Sequence, residues 1–337
     1  MRPVRQNDKN GANGAGARWG VGVLALALLV SGCADTGSSS GPGADGAKPA
    51  HGPLGVGAAR PVHGGLHAAD PAHGPRAGIQ APAARALAGY ASRLRLAEAR
   101  RAAVARRWGL AEVPLTPPAP PARKPVIQAR KGFEVDDQEE LGLPPVFTTV
   151  PTKDKVVFLT VDDGEEKDPA FLRMMSDLRI PYTAFLSDYL VKDDYGYFRK
   201  MRDHGITLDN HTLHHPYLPA LSYEAQKHEI CGMQDVMKRE FGRRPTVFRP
   251  PYGNYDQDTL RAAKSCGIAY APIWDEEVFV DHWEYREEDQ DLHPGDIVLT
   301  HFRGREDWKG TMPDMVRRFL RTVTAKGYAV ARLEDYL

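Results

Sequence analysis

The 337-residue chain has three cysteines, no repeat of fixed period, no net charge and no apolar run long enough to cross a bilayer comfortably. Cys33 follows an N-terminal apolar stretch, which leaves Cys231 and Cys266 as the only pair that can form an internal disulfide. In an exported protein that pair can oxidise; the alternative is two buried thiols. Large apolar residues are scarce between residues 34 and 80, which are rich in Gly, Ala, Pro, Ser and His. Such a composition cannot bury a core. The zero net charge conceals an asymmetry. Residues 1–131 carry 18 Lys+Arg against 6 Asp+Glu, net +12, and residues 132–337 carry 26 against 38, net −12. A basic arm precedes an acidic globular part, and such an arm either touches an anionic surface or is a solvated tether.

The N-terminus reads as an export signal. Arg2, Arg5, Lys9 and Arg18 precede the apolar run Trp19–Val30, which is shorter than the ~20 residues of a spanning helix. The run closes in Val30-Ser31-Gly32-Cys33. Small residues before a cysteine at that point resemble a bacterial lipobox, which implies cleavage before Cys33, lipid on its thiol and an extracytoplasmic protein anchored to the cell membrane. The alternative is an ordinary signal peptide with an incidental cysteine. Residues 34–131 then read as a disordered, low-complexity tether. Its histidines His51, His63, His67 and His73 suggest metal capture, but their wide spacing favours incidental tether residues. It includes a marginal helix over 82–112, with a thin apolar stripe of Leu87, Leu94, Val104 and Leu110, and a stiff spacer with six prolines from Pro114 to Pro125.

From Val146 the texture becomes that of an α/β domain, assigned to residues 132–337. The pattern predicts strands over 156–161, 182–186, 206–208, 247–249, 268–274, 296–300 and 328–332. Helices are predicted over 169–178, 197–204, 222–241, 256–266 and 312–326. Alternating strands and helices imply a parallel sheet, open or closed into a barrel.

The chemistry-bearing residues gather where these strands end. Asp162 and Asp163 follow the first, His211 follows the third, Arg249 ends the fourth, Trp274-Asp275 end the fifth and His301 follows the sixth. Parallel α/β folds place their sites at the C-terminal ends of strands. Two adjacent carboxylates allow one to bind a metal while the other moves a proton. His211 and His215 stand at i and i+4 and share a face if the segment is helical, with His214 at i+3 as the rival second ligand. With Asp163 they offer two nitrogens and one oxygen, a set suited to zinc or another divalent transition metal such as Co²⁺, Ni²⁺ or Mn²⁺.

Thr160-Val161-Asp162-Asp163-Gly164, His211-Thr212-Leu213-His214-His215-Pro216, Arg249-Pro250-Pro251-Tyr252-Gly253 and Leu299-Thr300-His301 resemble, in order, the motifs of the polysaccharide deacetylase family, carbohydrate esterase family 4, also called the NodB homology domain. The resemblance covers about residues 150–337. It implies a deformed (β/α) barrel of parallel strands with surrounding helices. It also implies metal ligation by Asp163, His211 and His215, with Asp162 as general base and Arg249 holding that aspartate. The backbone N–H of Tyr252 would stabilise the oxyanion, His301 would act as general acid, and Leu299 would line the pocket for the acetyl methyl. One motif departs: the family's Asp-Trp pair is split here as Asp281-His282-Trp283. Trp283 then stands for the pocket wall and Asp281 for the charge beside the acid histidine.

The activity so implied is metal-dependent N-deacetylation of a cell-surface or extracellular glycan, with peptidoglycan N-acetylglucosamine as the leading substrate. O-deacetylation of xylan is the alternative within the family, and an inactive glycan-binding lipoprotein the alternative outside it. The partners expected are a polysaccharide and, through the N-terminal lipid, a membrane. No nucleic-acid partner is expected, and the chain is expected to be a monomer.

Overall fold

The computed structural model describes residues 82–337. The expected signal sequence, the expected lipidation at Cys33 and the part of the expected tether up to residue 81 lie outside the described residues. The described strands are β1 (Val146–Phe147), β2 (Val156–Asp163), β3 (Thr183–Leu186), β4 (Thr207–Asn210), β5 (Ala271–Pro272), β6 (Glu276–Val278), β7 (Trp283–Tyr285), β8 (Ile297–His301) and β9 (Ala329–Val330). The helices are α1 (Pro82–Arg107), α2 (Pro169–Leu178), α3 (Asp188–Val191), α4 (Tyr195–Asp203), α5 (Tyr223–Phe241), α6 (Gln257–Ser265) and α7 (Met312–Ala325).

The main sheet runs β4-β3-β2-β8-β6-β7, with β9 also paired to β2. All these pairings are parallel except the β6–β7 hairpin. Isolated bridges close the wall. Asn210 pairs with Phe248, Val247 with Tyr270 next to β5, β5 with β1, and Thr149 just past β1 with Asp296 at the foot of β8. The result is the deformed barrel with surrounding helices expected from the sequence. The predicted strands over 247–249 and 268–274 survive only as these bridges and two-residue β5.

Strand β2 is buried at all eight positions, so its two faces do different work. Val157, Leu159 and Val161 face a helix layer with Phe171 and Met174 of α2, Phe198 of α4 and Phe319 of α7. Val156 and Phe158 face a second cluster with Ile297, Leu299, Ile273 and Trp274. On that inner face the series continues into Thr160 and Asp162. The barrel interior is therefore apolar at one end and polar at the C-terminal end of the strands. The inner face of β8 repeats this, from Ile297 and Leu299 to His301.

Cys231 of α5 and Cys266 at the end of α6 form a disulfide with Cα atoms 5.1 Å apart. Closing a loop of 35 residues contributes roughly 3–4 kcal/mol through the unfolded state.

The tether reading is corrected where the structure describes that segment. The marginal helix is a 26-residue helix, α1. Leu87 and Leu94 on it are exposed, but Ala105 and then Leu110 are buried in the core. Beyond it the proline-rich strip runs along the domain rather than away from it. Leu115 pairs with Ala329, and Lys124 donates to the carbonyls of Glu334 and Leu337. Arg130 donates to Asp275 at 2.6 Å and also pairs with Glu287. The basic arm thus spends part of its charge on the acidic domain it precedes, and the fold reaches back to about residue 105 instead of starting at 132.

Candidate active site and metal centre

Two chain segments set the site. The first is the end of β2. Asp163 has φ 81°, which turns its side chain away from the alternation of the strand. Gly164 follows with φ 91°, and a Cβ there would lie 2.4 Å from Val191 and 3.1 Å from Phe198. A glycine is therefore required directly after the aspartate pair.

The second is the loop after β4. It is not helical, so the i,i+4 argument for His211 and His215 is wrong, although the two residues do come together beside Asp163. Thr212 at φ 72° and His215 at φ 55° fold the loop instead. Asn210 Oδ1 accepts from the Thr212 N–H at 2.9 Å, Thr212 Oγ1 accepts from the His215 N–H at 3.0 Å, and Ser187 Oγ donates to the His211 carbonyl at 2.7 Å. The two imidazoles end 4.8 Å apart, centroid to centroid. His214 turns outward: it meets Glu229 at 2.9 Å and its side chain is 63% exposed. It is no ligand of this cluster.

Seven non-glycine residues among those described have positive φ, and four of them, Asp163, Thr212, His215 and Tyr252, belong to this site. Such backbone costs ~1–3 kcal/mol per residue and persists where surroundings over-determine it. Here the strain marks a place shaped for something other than stability.

Asp163 Oδ1 lies 3.6 Å from His211 Nε2 and 3.4 Å from His215 Nε2. That oxygen is buried and meets no hydrogen-bond donor. Asp163 Oδ2 is held by Arg303 at 2.9 Å, and Arg303 also pairs with Glu165. Burial alone would raise the Asp163 pKa; His301, His215 and Arg303 outweigh it and keep the group a carboxylate. His211 Nδ1 donates to the Arg249 carbonyl at 2.7 Å, which leaves the Nε2 lone pair facing Asp163. Burial, and then the charge of His215, keep His211 well below its ordinary pKa and therefore neutral. An orphaned buried carboxylate oxygen facing two imidazoles is the donor set of a divalent transition-metal centre. The three residues fit such an ion.

Asp162 is built differently. Its Oδ1 accepts from Arg249 at 2.8 Å, and its Oδ2 lies 3.6 Å from His211 Nε2. Arg249 is wholly buried and each of its three guanidinium nitrogens donates a hydrogen bond. It reaches Thr160 Oγ1 at 2.9 Å and the carbonyls of Pro272 and Ile273 at 3.1 Å, with its guanidinium 4.3 Å from the Phe185 ring centroid. Burial pushes the Asp162 carboxyl up to about 6 against the pull of Arg249. A carboxylate in that range can accept a proton near neutral pH.

His301 is the register partner of Asp162 across the β2–β8 ladder. Its Nδ1 lies 3.0 Å from Glu277 Oε1. Burial pulls the imidazole pKa down, but the charge and hydrogen bond of Glu277, with help from Asp163 and Asp162, hold it at about 9. One group poised to take a proton and one poised to give it thus face each other on adjacent strands.

Tyr252 sits in the turn after Pro250-Pro251 with φ 61°, its ring 4.5 Å from that of His215. A Cβ on Gly253 would come within 3.1 Å of Trp274, so the indole presses under this turn. Leu299, one inward step below His301, is buried beneath the polar groups as expected for a floor.

Two assignments are corrected. Asp281 lies at the tip of the β6–β7 hairpin, 69% exposed and paired with His282, so Glu277 stands beside His301 instead. Trp283 stacks on Tyr285 and Phe319, which places it against α7 on the outer face. The sequence reading also missed Arg303. No spacing signals it, since it lies two residues past His301 in an irregular loop.

A family model described as "Polysaccharide deacetylase" matches residues 149–271. An uncharacterized protein of Streptomyces coelicolor is 42% identical over 196 residues, covering 58% of this chain and 78% of that one. The peptidoglycan-N-acetylmuramic acid deacetylase PdaA of Bacillus subtilis is 27% identical over 198 residues, covering 55% and 73%. A crystal structure of a peptidoglycan N-acetylglucosamine deacetylase has the same fold. Its TM-score is 0.51 at 19% identity, covering 61% of this chain and 97% of that one.

Proposed function

Because the chain belongs to the polysaccharide deacetylase family, carbohydrate esterase family 4, we propose that it removes N-acetyl groups from peptidoglycan, with N-acetylglucosamine as the sugar acted on. The observation that carries the reading is the pairing of Asp162 and His301 in register beside the Asp163, His211 and His215 cluster. Peptidoglycan is favoured because relatives named for it recur: PdaA, a second Bacillus subtilis protein, PdaC, and a Bacillus cereus N-acetylglucosamine deacetylase. Tyr189 and Tyr252, 39% and 40% exposed, give apolar faces beside the site on which a sugar ring can lie.

Asp163, His211 and His215 would hold the metal ion, zinc being our assignment, and when bound it would supply Lewis acidity for attack of water on the amide. Asp162 takes the proton of the attacking water. Arg249 fixes the Asp162 carboxylate so that its Oδ2 faces the cluster. The Tyr252 N–H donates to the oxygen that gains charge, a contribution of ~10²–10³ in rate. His301 gives its proton to the leaving nitrogen, which cannot depart as an anion. Glu277 positions His301 and keeps it charged.

That last role has a pH signature. His301 works as an acid only while protonated, so activity persists below its pKa and is lost as pH rises through about 9. Glu277→Gln is expected to move this alkaline limb down by about one unit or more. Its acid limb, set by Asp162 at about 6, stays in place. A pH–rate profile of the two proteins checks this; an unmoved alkaline limb would show that Glu277 does not govern His301.

The lipobox-like run at Cys33 leads us to propose a lipid-anchored, extracytoplasmic enzyme. Cys33→Ala is expected to release the protein from membranes with its rate unchanged, as fractionation and an assay on soluble substrate would record. Continued membrane fractionation would count against the anchor.

The substrate is tested by acetate release from peptidoglycan, chitin oligomers and acetylxylan, with muropeptide mass spectrometry to locate the lost acetyl. Deacetylated N-acetylglucosamine in peptidoglycan supports the proposal. Loss from N-acetylmuramic acid, or acetylxylan as the better substrate, overturns it.

A further inference from the structure

The two neighbouring glutamates of β6 point to opposite faces, as successive strand residues do. Glu277 serves His301. Glu276 is 98% buried (2% exposed), and its Oε2 meets no hydrogen-bond donor. It belongs with His293 and Asp296: one ligand atom from each falls within 4.8 Å of the others. Asp296 is fully buried at the foot of β8. His301 is five residues further along that strand, about 16 Å away. The group is thus well removed from Asp163, His211 and His215.

We propose that Glu276, His293 and Asp296 form a second divalent-cation site that fixes the base of β6 and β8. Three features support it. The first is the unsatisfied oxygen itself, since a buried carboxylate without a partner is costly and a cation removes that cost. The second is the state of His293. Its Nε2 lies 3.1 Å from Asp289 Oδ2, while its Nδ1 lies 3.5 Å from Asp296 Oδ2. A ring held by a carboxylate on one nitrogen presents the other to a metal. The third is charge. His293 and Asp296 line a cavity of about 440 Å³ with Asp275, Glu287, Glu288 and Asp289. Arg130 pairs with Asp275 and Glu287, which leaves Glu276 and Asp296 facing His293.

One imidazole and two carboxylates suit a manganese- or zinc-class ion, with water from the cavity completing the shell. The backbone around the group is already fixed: Asp296 accepts from Thr149 Oγ1 at 3.2 Å and from the His293 N–H. The occupant therefore completes a preformed pocket and holds β6 against β8, the strand pair that carries Glu277 and His301. The rival occupant is a proton. Without a cation, burial and then the charge of Asp296 raise the Glu276 carboxyl to about 11, a state in which it hydrogen-bonds Asp296.

The test uses the full chain carrying Asp163→Ala, which removes the first site, stripped with chelator and titrated with Mn²⁺ and, separately, Zn²⁺. Binding is followed by calorimetry and by the melting temperature. One equivalent of at least one ion is expected to bind and raise the melting temperature. Adding Glu276→Gln, which mimics the protonated side chain and so keeps the fold, is expected to weaken binding at least about tenfold. His293→Ala, at a half-exposed position, is expected to do the same. If Asp163→Ala is poorly folded, His215→Ala serves as the background. Binding of neither ion in these backgrounds overturns the proposal in favour of the shared proton. Binding that survives both Glu276→Gln and His293→Ala also overturns it, since the ion then sits elsewhere, for instance on the N-terminal histidines.

Discussion

Replacing Asp162 by asparagine is expected to leave the metal bound and to lower acetate release by about 10²–10⁴. Asparagine still accepts from Arg249 but cannot take a proton. His301→Ala is expected to lose a comparable factor for the opposite reason, since the nitrogen then has no donor. The double mutant should lose less than the product of the two factors, because both residues serve one path through one transition state. Asp162→Asn carries a second cost. Arg249 is fully buried, and without its counter-charge the fold loses up to roughly 3–5 kcal/mol. Metal content, melting temperature and turnover must therefore be read on the same samples. Metal loss in a folded Asp162→Asn protein, or near-normal turnover in His301→Ala, would overturn the division of roles.

Removing a ligand should have a different signature. Asp163→Ala and His211→Ala are expected to lose the ion of this site, leaving only what Glu276, His293 and Asp296 hold, and acetate release should fall to background. His214→Ala should keep both. Asp163 Oδ1 faces both His211 Nε2 and His215 Nε2 and meets no hydrogen-bond donor, whereas His214 is turned to Glu229 at the surface. Elemental analysis of the purified variants separates the cases. Metal retained by Asp163→Ala at the level of the unaltered protein, with no loss on adding Glu276→Gln, would refute the ligand set.

How much of this was legible in the sequence depends on which force sets each position. Strand β2 and its aspartates were readable because a doubly buried strand is a continuous apolar run, and a polar pair at its end has no other reason to be there. His211 and His215 were found by spacing, but the stated cause was wrong. There is no helix there: positive φ at Thr212 and His215, held by backbone N–H groups donating to the side chains of Asn210 and Thr212, brings the rings together. Asp281 is the aspartate of the family's Asp-Trp pair, split here by His282. The β6–β7 hairpin reverses the chain there, so the tip is solvent and Glu277 lies next to β8. Such an antiparallel addition is hidden in the short, charged stretch Asp275–Tyr285, which has no clear period. The tether was misjudged because composition reports the absence of a core, not contact with someone else's. Arg130 is one basic residue in a polar stretch, yet it neutralises the buried Asp275 of the domain. The opposite charges of arm and domain were the only trace of that contact.

The central claim is that Asp162 and His301 perform hydrolysis beside a metal held by Asp163, His211 and His215. The most direct measurement is acetate released from peptidoglycan by the purified full chain, before chelation, after chelation and after Zn²⁺ is restored, with Asp162→Asn alongside. The account predicts release that chelation abolishes and Zn²⁺ restores, and an Asp162→Asn protein that binds Zn²⁺ equally but stays inactive throughout. Release that chelation leaves untouched, or that Asp162→Asn carries out at the normal rate, would contradict it.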